Sequence, residues 1–155
     1  MTPRLRPARV GEGQALYEVT AAAITALAAG HYTPAQIDAW MDGRDAAQYE
    51  TVIAAGTVRV AEADGVILGF VDTAPGVITR LFVRPEAAGC GLGRVLLEAG
   101  VAAARRDGRV RLEATLNAAP FYARCGFVET GRAMYQHPGG GLPVEVVNME
   151  LRLKG

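Results

Sequence analysis

Three glycines, Gly89, Gly91 and Gly93, alternate with other residues directly before a predicted amphipathic helix. A strand is predicted to end at Val83, so the glycines lie in the turn that joins this strand to the helix. The first turn of a helix has unpaired backbone N–H groups and a partial positive charge, which favour a phosphate group. The spacing therefore predicts an anion-binding turn, with a merely permissive strand-to-helix connection as the alternative.

Two common nucleotide motifs do not match this segment, residues 88–94, which we call the glycine turn. No Gly-Lys-Ser/Thr sequence closes it, as a nucleoside-triphosphate loop requires. Its glycine spacing also differs from the Gly-x-Gly-x-x-Gly of dinucleotide-binding folds. Neither motif explains the turn.

A longer pattern surrounds the glycine turn. It reads Leu81-Phe82-Val83-Arg84-Pro85 and then Gly89-Cys90-Gly91-Leu92-Gly93-Arg94-Val95-Leu96-Leu97. Further along the chain come Asn117 and Phe121-Tyr122-Ala123-Arg124-Cys125-Gly126-Phe127. Together these segments resemble the coenzyme-A-binding motif and the following motif of the GNAT superfamily of N-acetyltransferases. With the predicted order of strands and helices, the resemblance covers about residues 4–153.

The resemblance implies acetyl-CoA as the acetyl donor. In the family, main-chain groups of the strand that precedes the turn pair with the pantetheine arm. Ala88 has no side chain that could contact the pyrophosphate, so we expect the backbone amides of residues 89–94 to hold it. Asn117 matches a position that contacts coenzyme A, and a helix-capping role is its alternative. The cofactor-binding residues that the resemblance implies are Leu81, Phe82, Val83, Ala88, Gly89, Cys90, Gly91, Leu92, Gly93, Arg94, Asn117, Phe121, Tyr122 and Arg124.

Tyr122 resembles the tyrosine that many family members place near the thioester sulfur, which implies a catalytic role as general acid. A departing thiolate benefits from a proton donor, and the attacking amine must be neutral. On the short helix predicted from Ala118 to Cys125, we expect Phe121 to fill the core and Tyr122 to face the cofactor. The alternative for Tyr122 is a packed aromatic whose hydroxyl has a structural partner.

The general base and the acceptor site are less clearly marked. Asp72, Glu113 and His137 are candidate bases, although each is equally well explained as solvated surface or as a turn partner. The resemblance places the acceptor between the connection of the first two helices and the last hairpin. The candidate substrate residues are His31, Tyr32, Trp40, Asp72, Tyr135 and His137. Aromatic walls suit an apolar or cationic amine, or Tyr32 and Trp40 simply anchor the second helix.

Periodicity and turn residues predict the elements that must position these residues. Thr33, Pro34 and Gln36 form a capping box for the second helix. The helix after the glycine turn is predicted to pack through Leu92, Val95, Leu96, Ala99 and Ala103. Predicted strands cover residues 4–9, 57–62, 66–71, 77–83, 109–116, 127–136 and 144–153. The resemblance implies an α/β (α+β) fold, with a mixed, mostly antiparallel twisted sheet of about seven strands flanked by helices.

Composition limits the classes of function. Half of the residues are hydrophobic, and 16 basic residues balance 16 acidic ones. This balance favours a globular domain over 1–155 and gives no reason to expect nucleic acid or a membrane as a partner. Arg4, Arg6 and Arg9 before an apolar stretch superficially resemble a secretory signal, but the helical spacing of that stretch favours an amphipathic helix. Two cysteines suit a reducing cytoplasm.

The sequence therefore predicts an acetyl-CoA-dependent N-acetyltransferase without a metal. It would move the acetyl group to a primary amine of a small molecule or peptide, by direct attack in a ternary complex. The alternative function is a non-catalytic module of the same fold that binds or senses acyl-CoA. A homodimer is expected by analogy with the family alone.

Overall fold

A seven-stranded sheet forms the centre of the computed structural model, which describes residues 2–27, 30–41, 43–135 and 142–153. The strands are β1 (Arg4–Pro7), β2 (Val58–Ala63), β3 (Val66–Ala74), β4 (Val77–Val83), β5 (Arg109–Thr115), β6 (Val128–Tyr135) and β7 (Val144–Arg152). The helices are α1 (Gly13–Leu27), α2 (Pro34–Met41), α3 (Ala46–Ala54), α4 (Leu92–Ala104) and α5 (Ala119–Arg124).

The strand order is β1-β2-β3-β4-β5-β7-β6, and every neighbouring pair is antiparallel except β4 and β5. A parallel pair needs a crossover connection, and α4 supplies it between these two strands. The predicted mixed, mostly antiparallel sheet flanked by helices is confirmed.

The β2–β3 hairpin turns at Asp64 and Gly65, whose φ angles are both positive, at 51° and 78°. Two positive φ angles are the requirement of the tight turn that Asp-Gly favours. β3 then pairs with β2 on one side and β4 on the other, so these three consecutive strands form an antiparallel meander.

Helices cover both faces of the sheet, because neighbouring strand residues point to opposite sides. On β3, Phe70 packs with Leu16 and Tyr49 from α1 and α3. The next residue, Val71, packs with Leu96 and Leu97 from α4. The sheet therefore separates α1, α2 and α3 from α4 and α5.

The buried face of α4 differs from the predicted one. Its buried residues are Leu92, Leu96, Leu97, Gly100 and Ala104. The predicted Val95 is 46% exposed, and the predicted Ala103 is exposed as well. The reason is Gly100, where an added Cβ would lie 2.9 Å from Val71 Cγ2. A glycine carries no hydropathy signal, so the spacing of apolar residues did not identify Gly100 as the centre of the contact between α4 and β3.

Local signals placed the shorter helices well. The α2 capping box is confirmed, since the Thr33 hydroxyl accepts from Gln36 N at 3.1 Å and Gln36 Oε1 accepts from Thr33 N at 2.9 Å. Gly126 follows the predicted end of this short helix at Cys125 and has a φ of 98°. Within the described residues, no helix has the length and apolar character needed to cross a membrane.

We expect Gly100→Val to lower the free energy of unfolding by about 1 to 3 kcal/mol, because the side chain would be forced against β3 and β4. Ala103→Val introduces the same side chain on the exposed face of this helix and should cost less than about 1 kcal/mol. Urea denaturation of both variants measures the difference. Equal losses of stability would contradict the close contact at Gly100.

Candidate active site

A cleft opens between β4 and β5, the two parallel strands at the centre of the sheet. Their described register contains one pair, Val77 with Arg111, whereas each strand pairs along its other side over most of its length. The strands separate beyond this pair, and both line the resulting cleft of about 1140 Å³.

The closed end of the cleft is held by Gly76 in the β3–β4 turn. Its N–H donates to Ala104 O at the end of α4, at 2.6 Å, and its carbonyl accepts from Arg111 N at 2.9 Å. These two bonds tie the crossover helix and β5 to β4 at one point. The open end of the cleft then lies toward the glycine turn.

The glycine turn lies at the open end, with Gly89 and Gly91 in the left-handed region at φ angles of 83° and 86°. No atom lies within 4 Å of the position that a Cβ would take on either residue. Helix α4 begins without a side-chain cap. Among the described residues, no acceptor contacts the backbone N–H groups of residues 92–94. The turn therefore presents open, unpaired donors to the cleft, as a phosphate site requires.

Asn117 follows β5 at the cleft wall, and its Oδ1 is buried without a hydrogen-bond partner among the described residues. The alternative role of Asn117 as a helix cap is not seen, because Ala118 is the N-cap of α5 and has no side-chain cap bond. A buried polar atom without a partner costs free energy. The Asn117 Oδ1 can therefore accept a hydrogen bond from a ligand in the cleft.

Tyr122 lies on α5 and lines the cleft although it is only 6% exposed. Its ring packs edge-on against Phe121 and Phe127, with centroids 5.2 and 5.8 Å away. Burial, with a smaller contribution from Cys125, raises the pKa of the Tyr122 hydroxyl well above its usual range. The described residues offer this hydroxyl no hydrogen-bond partner. It is a protonated donor that faces the cleft.

The structure corrects the predicted division between Phe121 and Tyr122. Both residues line the cleft, and Tyr122 is the more buried of the two. Phe121 also packs beside Gly93, where an added Cβ would lie 3.4 Å from its ring. In a six-residue helix, residue spacing alone does not determine which side chains face the core. The contact with the glycine turn determines the orientation of α5.

Asp72 lies outside the cleft, within β3. Its Oδ1 accepts from the Thr57 hydroxyl at 2.5 Å, and its Oδ2 accepts from the Thr79 hydroxyl at 2.8 Å and from Arg80 Nη1 at 2.7 Å. This buried carboxylate joins β3 to β4 and to Thr57, the residue before β2, and it is not among the residues that line the cleft. Glu113, in contrast, is exposed and lines it.

An aromatic wall closes the side of the cleft next to α1 and α2. Trp40 and Tyr135 both line it, with ring centroids 6.1 Å apart. Tyr32 packs edge-on against Trp40 but does not line the cleft. Its hydroxyl accepts from Leu116 N at 2.9 Å and donates to Glu145 O at 2.6 Å. Tyr32 thus anchors the start of α2 to β7 and to the end of β5.

Two substrate candidates remain, His31 and His137. His31 is exposed and is not among the lining residues. His137 lies outside the described residues.

The family model for the acetyltransferase (GNAT) domain matches residues 28–153. This range includes the glycine turn, the cleft strands and Tyr122. The chain belongs to the GNAT acetyltransferase family. YafP of Escherichia coli (strain K12), described as an uncharacterized N-acetyltransferase, is 30% identical over 124 residues, which cover 80% of each chain.

Solved structures agree with the GNAT fold. The GCN5-related N-acetyltransferase from Rhodopseudomonas palustris superposes with a TM-score of 0.89 at 28% identity, covering 99% of this chain and 97% of that one. The PaiA N-acetyltransferase from Thermoplasma acidophilum, crystallised in complex with coenzyme A, has a TM-score of 0.74 at 20% identity, covering 98% and 99%. The predicted family and fold are confirmed.

Most of the cofactor-binding residues expected in this GNAT chain line one cleft. They are Leu81, Phe82, Val83, Ala88, Gly89, Gly91, Gly93, Asn117, Phe121, Tyr122 and Arg124. The other three side chains are directed elsewhere. The Cys90 thiol donates to Ala87 O at 2.7 Å, Leu92 is buried in the core, and Arg94 is exposed outside the cleft.

Sequence reasoning missed Arg44, which lines the GNAT cleft beside the aromatic wall. It also missed Ile24, Thr130 and Asn148, which line the same side. No motif marks these residues, because α1, the α2–α3 connection and the last two strands meet only in the folded chain. An arginine between two predicted helices is indistinguishable from a solvated surface residue in the sequence.

The raised pKa of Tyr122 predicts a late-titrating phenol in this GNAT protein. In the folded protein, Tyr122→Phe should not change the tyrosinate absorbance that develops up to about pH 10, where the tyrosines of an unfolded chain titrate. In urea-unfolded protein the same substitution should remove the contribution of one of five tyrosines. Ultraviolet titration of both proteins measures this. A variant that loses absorbance below pH 10 while folded would show that Tyr122 is not shielded.

Proposed function

We propose that residues 1–155 act as one N-acetyltransferase domain that moves the acetyl group of acetyl-CoA to a primary amine of a small molecule or peptide. One observation carries the proposal. A single cleft between the separated strands β4 and β5 joins the glycine turn, the buried Tyr122 hydroxyl and the aromatic wall. A donor and an acceptor can therefore meet in it from opposite sides.

Coenzyme A fits the residues that are present. The open space over Gly89 and Gly91 is where side chains would otherwise obstruct a pyrophosphate. The buried Oδ1 of Asn117 has no hydrogen-bond donor among the described residues. An amide N–H or a hydroxyl of the cofactor can supply this donor. The coenzyme A complex of the T. acidophilum relative supports this assignment.

The chain's own groups would hold the cofactor mainly through the backbone. The N–H groups of residues 92–94 would donate to the pyrophosphate at the start of α4. Beyond Val77, the edge of β4 that faces β5 has no strand partner among the described residues, so the main-chain groups of residues 81–83 that point to this edge are available to the pantetheine arm. Arg124, exposed at the cleft, would add positive charge on the cofactor side.

Tyr122 would supply the proton that the leaving sulfur needs. Bound acetyl-CoA supplies the activated acetyl thioester. The amine attacks directly in a ternary complex, and the Tyr122 hydroxyl, kept protonated by burial, donates as negative charge develops on sulfur. Glu113 is the carboxylate among the described lining residues, and we assign it the removal of the amine proton, directly or through water.

We expect Tyr122→Phe to reduce kcat for acetyl transfer by about 100-fold, because the general acid is lost. The KM for acetyl-CoA should change by less than about threefold. Thiol release from acetyl-CoA with a panel of amines measures both. Tyr17→Phe removes a hydroxyl from α1, away from the cleft, and should leave kcat unchanged.

Two outcomes would contradict the function. If calorimetry detects no binding of acetyl-CoA, the proposal fails. If acetyl-CoA binds tightly but no amine in a wide panel releases thiol, a sensing module is favoured instead.

We expect Asn117→Ala to weaken coenzyme A binding by about 5- to 30-fold, the equivalent of one lost hydrogen bond. The free energy of unfolding should change by less than about 1 kcal/mol, because Oδ1 has no hydrogen bond to lose among the described residues. Calorimetry and urea denaturation give the two values. A large loss of stability with unchanged affinity would indicate a purely structural role.

A further inference from the structure

Arg44 lies in the α2–α3 connection and faces the cleft beside the aromatic wall. Its Nε donates to Trp40 O at 2.8 Å, Nη1 to the Tyr49 hydroxyl at 3.3 Å and Nη2 to the Tyr135 hydroxyl at 3.4 Å. The side chain is half-buried. Its guanidinium is therefore fixed in place by three aromatic residues.

All three of these partners are neutral. In the part of the chain that the structure describes, no carboxylate forms an ion pair with Arg44. A guanidinium has five N–H donors, so two remain after these bonds. A partly buried cation without a counter-ion favours an anionic ligand that can use such donors.

The other charges on this side of the cleft are balanced. Arg80 pairs with the buried Asp72 at 2.7 Å. Arg111 and Glu113, one positive and one negative, are exposed on β5. Arg44 therefore leaves a single positive charge unmatched among the described residues of the acceptor side. A single carboxylate would match it.

We propose that the acceptor is an amine that also carries a carboxylate, and that Arg44 binds this carboxylate. This inference rests on the proposed acetyl transfer. Trp40 and Tyr135 flank the guanidinium, so an apolar body beside the carboxylate would pack on the aromatic wall. The acceptor class is thus an α-amino acid with an apolar side chain. The unmatched cation disfavours an acceptor with a net positive charge, which aromatic walls alone would allow.

The test compares each acid with its uncharged amide. L-phenylalanine, L-leucine and L-methionine are offered with acetyl-CoA, each beside its amino acid amide, and thiol release is measured. We expect kcat/KM to be at least about tenfold higher for the acids, although the amides hold the more readily deprotonated amine. Amides that react equally well or better would overturn the inference and leave acetyl transfer intact.

Variants test whether Arg44 causes the preference for acids over amides. Arg44→Gln should bring the ratio of acid to amide close to one, whereas Arg44→Lys should keep part of it because the charge remains. Arg59→Gln removes the same charge from an exposed position on β2 and should keep the wild-type ratio. An acid preference that survives in Arg44→Gln would overturn the assignment.

A binding experiment separates this inference from turnover. N-acetyl-L-phenylalanine should bind the coenzyme-A-loaded protein at least about tenfold more tightly than N-acetyl-L-phenylalaninamide, and Arg44→Gln should abolish the difference. Equal affinities in the wild-type protein would overturn the inference even if no tested amine is acetylated. A failure to bind coenzyme A would instead overturn the proposed function and this inference with it.

Discussion

The separation of β4 from β5 is the constraint on which the rest of the structure depends. Backbone N–H and C=O groups need partners, and two adjacent strands would normally provide them to each other. Here β3 and β7 pair with the outer edges of β4 and β5, while the inner edges meet only at Val77 and Arg111. The sheet therefore contains two internal edges whose polar groups face a cleft. A ligand with amide groups of its own is a suitable partner for such an edge.

Two features preserve this opening. At the closed end, Gly76 bonds to both Ala104 and Arg111, so the strands cannot move apart further. Along one face, α4 packs against β3 and β4 through Gly100, which allows close approach of the helix. The same helix directs its unpaired N-terminal amides toward the open end. The crossover helix thus holds β3 and β4 on one side of the cleft and fixes the position of these amides.

The two sides of the cleft differ in how their polar groups are satisfied. On the cofactor side, backbone amides of the glycine turn and the buried Asn117 Oδ1 lack partners among the described residues. On the acceptor side, Asp72 and Arg80 neutralise each other within the sheet. Among the residues that the structure describes, Arg44 has only neutral partners. Unsatisfied groups in a folded protein are expected at ligand sites, because elsewhere they only cost stability. Their positions follow the path that donor and acceptor would take.

Local chemistry is what the sequence by itself determined. The capping box at Thr33 and the glycine turn each depend on residues a few positions apart, so their patterns predicted the local structure correctly. The fold was predicted by the resemblance of the motifs to those of the family. Tertiary structure decided which residues meet across the chain. It buried Asp72 between strands, placed Tyr122 deeper than Phe121 and brought Arg44 to Tyr135, 91 positions away. Long-range packing and charge pairing leave no periodic signal, because the partners come from separate elements.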